Sequence, residues 1–214
     1  LCAILSSLFC IFMTIVHKLF RKYFKNQYLR VFAGGLMLVL LNIVLKTTDY
    51  NGTGMNIIAK ALNGDAQPAA FLLKALFTAI TIGCGFRGGE IVPSFFVGAT
   101  FGCVAGGLMG MDPGFAAALG MVCFFCGVVN CPLTSLFLSI ELFGANGIMF
   151  FTIGCAVSYM LSGYYSLYNE QKIIYSKLRP HYVNLYTNQE IRTKEPGFLE
   201  GFLRIREDDA DDVE

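Results

Sequence analysis

The apolar residues of this chain fall into long runs, at 1 to 16, 31 to 46, 69 to 84, 91 to 110, 114 to 143 and 146 to 168, separated by short polar breaks. Sixteen residues of helix rise only about 24 Å, whereas the hydrocarbon core of a bilayer is about 30 Å thick. Several runs are therefore too short for a simple crossing, and the pattern predicts an all-α polytopic membrane protein with tilted, broken and re-entrant helices. Interrupted helices are tolerated at membrane depth only where the free backbone is buried in protein or lines a cavity. That favours a transporter or channel over a membrane anchor.

Composition agrees with this reading: 55% of the 214 residues are apolar, only 14% are charged, and the net charge is +1. Such a balance places the chain among membrane proteins, and a near-neutral charge gives no footprint for nucleic acid. The charges are segregated. Lys18, Arg21, Lys22, Lys25 and Arg30 cluster in residues 17 to 30, a stretch without an acid, which the positive-inside tendency assigns to the cytoplasm. Most of the acids lie after Tyr186, in a tail that reads as solvated and disordered. The chain begins at Leu1 inside an apolar run, without a basic flank or a cleavage site, and shows no internal repeat. It reads as a fragment, one half of a protein built from two related halves.

The polar breaks carry turn chemistry. "DYNGTGMNII", residues 49 to 58, is either a surface turn or the start of a helix whose amino end points inward. Asp112, Pro113 and Gly114 make another turn, and Asn130, Cys131 and Pro132 divide the following run, with Pro132 suited to the first turn of a new helix. Gly98, Gly102, Gly106 and Gly110 recur every four residues, a stripe that allows close approach of a neighbouring helix. Lys74 and Glu141 are ionisable residues inside apolar runs. The expectation for Lys74 is snorkelling to the interface, with a place in an ion path as the alternative, and for Glu141 a helix contact or the interface, with proton transfer as the alternative. The eight cysteines lie almost entirely in apolar runs, and Cys123 and Cys126 form a CxxC without a nearby histidine or a second CxxC. Buried reduced thiols account for them better than a metal site or a membrane redox enzyme.

The densest break is "GFRGGEIVPSFFVGATFG", residues 85 to 102. Pro93 fits the first turn of a helix from about 93 to 110, and Gly88 and Gly89 permit unusual backbone angles ahead of it. The first amides of a helix lack internal partners and its amino end carries partial positive charge, so such an end is an anion site. Partial charges hold an anion without trapping it. The plain alternative is a glycine-rich kink between packed helices.

Here the sequence resembles a known family. "GGEIVP" with its flanks is similar to the anion-filter motif of the CLC chloride channels and proton-coupled anion antiporters. The order of the other pieces agrees, with the glycine turn at 52 to 55 ahead of it and "NCPLTSLFLSIELFG" and "KIIYSKL" after it. The resemblance covers residues 1 to 178 and implies the second half of a CLC inverted-repeat membrane domain, with 179 to 214 as a polar, acidic cytoplasmic tail. It implies that the backbone amides of Glu90, Ile91 and Val92 coordinate the anion, supported by Gly88, Gly89 and Pro93, and that the Tyr175 hydroxyl completes the site.

Ile91 stands where phenylalanine is usual, and Glu90 where an apolar residue is common. The "GGE" form also resembles the fluoride-exporting branch, which usually has threonine where Val92 stands. The implied protein is a multi-pass transporter of chloride or a similar small anion, not an enzyme. It works as a homodimer in the plasma (inner) membrane, with protons as a candidate second substrate and no cofactor or metal. The alternatives are a fluoride/proton antiporter of the same family and a non-transporting membrane subunit. The family's gating glutamate and serine-bearing loop belong to the missing amino-terminal half.

Overall fold

The computed structural model describes residues 1–177 and 182–188. Eight helices run through the described residues: α1 (Cys2–Tyr23), α2 (Gln27–Leu45), α3 (Met55–Leu62), α4 (Ala70–Gly83), α5 (Ile91–Leu108), α6 (Pro113–Val129), α7 (Pro132–Phe143) and α8 (Ile148–Leu161). A short antiparallel pair follows, β1 (Lys172–Tyr175) and β2 (Tyr182–Tyr186), with Lys172 opposite Tyr186 and Tyr175 opposite Tyr182. This hairpin departs from the purely helical expectation. The acidic tail lies outside the described residues.

Only α1, α2 and α5 are long and apolar enough to cross a bilayer by themselves, whereas α4, α6, α7 and α8 are apolar but shorter. The shortfall anticipated from the run lengths is therefore present in the helices. Their outer surfaces are also apolar: Phe32, Ile43 and Val44 of α2, Phe137 of α7, and Met149 and Ile153 of α8 are each at least 60% exposed. In water such a surface would aggregate; against lipid tails it is the ordinary exterior.

The centre is the α5–α6 hairpin. α6 is buried along nearly its whole length, from Ala116 to Val129. Glycines make the approach possible. A Cβ built on Gly98 would stand 2.8 Å from the Gly120 carbonyl oxygen, one on Gly102 2.4 Å from the Ala116 carbonyl oxygen, and one on Gly106 2.1 Å from the Ala116 Cβ. As the number rises on α5 it falls on α6, so the two helices run antiparallel. Gly110 departs from the expected stripe. It lies beyond the end of α5 with φ +73 and open space around it, a turn residue instead of a packing one.

α1 packs across this pair, with Phe9 edge-on to Phe124 at 5.5 Å between centroids. α6 ends at Asn130 in the left-handed conformation, φ 58, and Pro132 opens α7, as the sequence predicts for that break. The 49–54 turn leads into α3 through Gly54 at φ +70, where a Cβ would lie 2.6 Å from the Phe96 ring.

Lys74 corrects the expectation of snorkelling. It is 2% exposed, and its ammonium donates to the carbonyls of Tyr50 at 3.0 Å and Gly52 at 2.6 Å while standing 5.1 Å from the Phe96 ring centroid. It does not reach the interface: it fastens the glycine turn to α4 and α5. Glu141, by contrast, is exposed on α7. The cysteines are free thiols, most of them buried, with Cys126 donating to the Cys155 carbonyl at 3.4 Å.

Candidate functional site

The candidate site lies where α4 gives way to α5. α4 ends at Cys84, whose carbonyl accepts from the Arg30 guanidinium at 3.2 Å, and Gly85 then turns the chain at φ +103. Arg30 was legible only as one charge in an acid-free stretch. In the fold it reaches back from α2 to satisfy an orphan carbonyl at a helix end, the place where a cation is favoured. Gly88 and Gly89 do not adopt left-handed angles; both are exposed, and a Cβ on either would meet open space.

α5 opens at Ile91, two residues earlier than the sequence suggests, with Glu90 at the N-cap position. Its donors can be counted. The Glu90 side chain makes no capping hydrogen bond, Pro93 has no N–H, and the Ser94 N–H goes to the Glu90 carbonyl at 3.2 Å. Among the described residues, what remains at the helix end is the pair of amides of Ile91 and Val92, with that of Glu90 just before them, at the positive end of the α5 dipole. The Ser94 hydroxyl donates to the Ile91 carbonyl at 2.6 Å, which ties the first turn together. Ile91 is exposed at 39%, and Glu90, Val92 and Pro93 are half-buried, so the helix start is reachable from outside while the helix body is sealed.

Glu90 also lines a cavity of about 480 Å³. Its other walls are Cys10, Met13, Thr14, His17, Lys18 and Arg21 of α1, Ile82 of α4, and Ser166, Leu167 and Asn169 beyond α8. Basic side chains from one helix thus share a cavity with the acid ahead of α5. In sequence those bases signal only orientation, because nothing in their spacing says which helix end they face.

Tyr175 is placed differently. It stands in β1, 65% exposed, with its ring edge-on to Tyr182 at 5.9 Å, and it is not among the residues lining this cavity. The fold therefore brings Glu90, Ile91, Val92 and Pro93 together at one helix start and sets Tyr175 on the hairpin. Among the described residues, no group of three or more histidine, cysteine or acidic side chains is gathered as a metal site would require.

A helix broken ahead of a glycine-flanked, proline-stabilised start, inside an apolar bundle, is the architecture the sequence resemblance implies. The family model for voltage-gated chloride channels matches residues 1–163. The chain belongs to the CLC family. It is 33% identical over 176 residues to the chloride/fluoride channel protein of Pseudomonas syringae pv. tomato, an alignment covering 78% of this chain and 39% of that protein. The H(+)/Cl(-) exchange transporter ClcA of Vibrio vulnificus is 28% identical over 120 residues, covering 51% of this chain and 25% of that protein.

Among solved structures, that of a CLC-type fluoride/proton antiporter superposes with a TM-score of 0.75 at 32% identity, covering 78% of this chain and 42% of that one. The chain thus spans less than half the length of these relatives. The CLC assignment supports an all-α membrane fold, and its named relatives are channels and transporters.

Proposed function

We propose that residues 1–178 are the carboxy-terminal half of a CLC anion-transport domain, and that the start of α5 binds the permeating anion through the amides of Glu90, Ile91 and Val92. The observation that carries this reading is the α5 start itself, whose amides lack a capping side chain and are followed by a proline. Dehydrating such amides without a partner costs several kcal/mol each, whereas a small anion satisfies them and is favoured by the helix dipole. Gly88, Gly89 and Pro93 support that backbone, and the Tyr175 hydroxyl is the fourth donor by family resemblance. The basic side chains of the adjacent cavity attract anions toward it.

The permeating ion is chloride or a similar small anion, and protons are the candidate counter-substrate. The complete protein requires an amino-terminal half and acts as a homodimer in the plasma membrane, with 179 to 214 as a cytoplasmic tail. Fluoride is the second reading, favoured by the likeness to a fluoride/proton antiporter and opposed by Val92, which supplies no hydroxyl.

The test is ion efflux from liposomes holding the intact protein, with chloride and fluoride compared in the same preparation. Chloride efflux exceeding fluoride efflux is expected. The reverse order transfers the assignment to the fluoride branch, and no efflux of either ion leaves a non-transporting subunit. Residues 1–214 alone are expected to carry neither ion, since half of the proposed pathway lies elsewhere.

A further inference from the structure

Lys177 follows β1 and turns its ammonium into the bundle. It donates to Asn130 Oδ1, and to Ser162 Oγ at 2.9 Å, and it stands 4.5 Å from the centroid of the Tyr159 ring. Its bonded partners among the described residues are all neutral. What they share is position: Asn130 is the C-cap of α6 and Ser162 is the C-cap of α8. Their side chains also approach each other, with Ser162 Oγ 3.4 Å from Asn130 Oδ1. Two helix carboxyl ends therefore meet at one ammonium.

Each carboxyl end carries about half a negative charge, so the pair presents roughly one, and a cation placed there is stabilised without any carboxylate. The ligands are oriented for it. The Asn130 Nδ2 donates to the Tyr165 carbonyl at 2.8 Å, which turns Oδ1 toward Lys177, and the Ser162 hydroxyl donates to the Tyr159 carbonyl at 3.1 Å, which leaves its lone pairs for the ammonium. The Tyr159 ring closes another side with its negative face. Amide and hydroxyl oxygens together with an aromatic face make up the coordination a monovalent cation accepts. Burial lowers the Lys177 ammonium to about 8, which leaves it charged at neutral pH.

We propose that the meeting point of the α6 and α8 carboxyl ends is a monovalent-cation site whose built-in occupant is the Lys177 ammonium. The inference does not depend on which anion the protein carries. It explains why the chain returns to the bundle after α8: the tethered cation pins the hairpin segment to the α6–α7 break, two residues after Tyr175.

The experiment measures thermal unfolding of the intact protein in detergent, with N-methyl-D-glucamine as the only added cation. Asn130→Asp, tolerated at the left-handed φ, loses the bond from Nδ2 to the Tyr165 carbonyl in either background, so its midpoint relative to its parent is expected to stand on the order of 2 °C higher with Lys177 present than in the Lys177→Met background. Lys177→Met alone is expected to lower the midpoint, and potassium or ethylammonium, which fit the vacated site where N-methyl-D-glucamine does not, to restore at least half of the loss while leaving the wild type unmoved. Asn130→Asp shifting both backgrounds by the same amount overturns the proposal, as does a Lys177→Met midpoint indifferent to the cation. Should Lys177→Met give no folded protein, Lys177→Gln takes its place as the neutral background, and an Asn130→Asp shift equal to that in the wild type overturns the proposal.

Discussion

Two groups of glycines belong to α5, and they meet opposite surroundings. Gly98, Gly102 and Gly106 face α6 so closely that a Cβ on any of them would fall within 3.0 Å of another atom, whereas Gly88 and Gly89, just ahead of the helix, have open space where a Cβ would stand. The first group removes side chains so that two backbones can touch. The second removes them where nothing among the described residues takes up the room, beside the uncapped start of α5. In sequence the two are alike, since a glycine reports only that a side chain is missing. What fills the space decides whether its absence serves packing or access.

The largest expected effect comes from adding bulk on the packed side. At Gly102 the nearest atoms are the Ala116 carbonyl oxygen at 2.4 Å and the Gly120 Cα at 2.9 Å, both backbone, so neither can rotate away. Overpacking a core costs about 1 to 3 kcal/mol where side chains can adjust, and Gly102→Leu should exceed that because the helices themselves must separate. The expected result is loss of monodisperse folded protein, or a sharply lowered thermal midpoint. A wild-type midpoint would mean that α5 and α6 lie further apart than described.

Next comes the open side, where donors matter more than volume. Ile91→Pro removes one of the remaining amides while keeping a residue that suits the first position of a helix, and Ile91→Val keeps the amide. The first should abolish anion binding to the intact protein, measured calorimetrically, and the second should leave most of it. Glu90 has ψ −16, a conformation that a following proline disfavours, so the thermal midpoint is measured alongside to separate a lost donor from a displaced backbone. Equal affinities for the two variants would remove these amides from the site.

How much of this was legible beforehand depends on whether the signal was local. The breaks at Asn130–Pro132 and at the start of α5 were readable because proline and glycine act on their own backbone, and the α5–α6 contact because a four-residue repeat maps onto one helix face. Lys74 was misread. Its charge suggested the interface, but its partners are the carbonyls of Tyr50 and Gly52, more than twenty residues away. The acid-free segment signalled orientation, yet its Arg30 caps α4 and its His17, Lys18 and Arg21 line the cavity beside Glu90, pairings set by tertiary packing alone. The β1–β2 hairpin was missed because no alternation of apolar and polar residues marks so short a pair. The resemblance supplied Tyr175 as an anion ligand, a role its position on the hairpin neither requires nor explains.

Tyr175→Phe sharpens that point and ranks third. Phenylalanine keeps the edge-on contact with Tyr182 and loses only the hydroxyl. If the phenol binds the anion in the complete protein, its hydrogen bond to a charged partner contributes roughly 1.5 to 3 kcal/mol, and affinity should fall by about ten- to a hundredfold, less if water replaces it. Wild-type affinity and flux would leave Tyr175 as an aromatic of the hairpin.

The smallest effect is expected at Gly89. Its φ is not left-handed and a Cβ there meets nothing within 4 Å, so Gly89→Ala should leave the fold unstrained, and restricting the unfolded chain should, if anything, stabilise it by a few tenths of a kcal/mol. A thermal midpoint at or slightly above wild type is the expected outcome, in direct contrast to Gly102. Anion affinity is the more telling readout. A methyl group beside the Glu90 amide narrows the approach without removing a donor, and a loss of a few-fold at unchanged stability would show that the bare backbone ahead of α5 serves access. An unchanged affinity would place the approach route on the other side of the helix start, toward the cavity that Glu90 shares with α1.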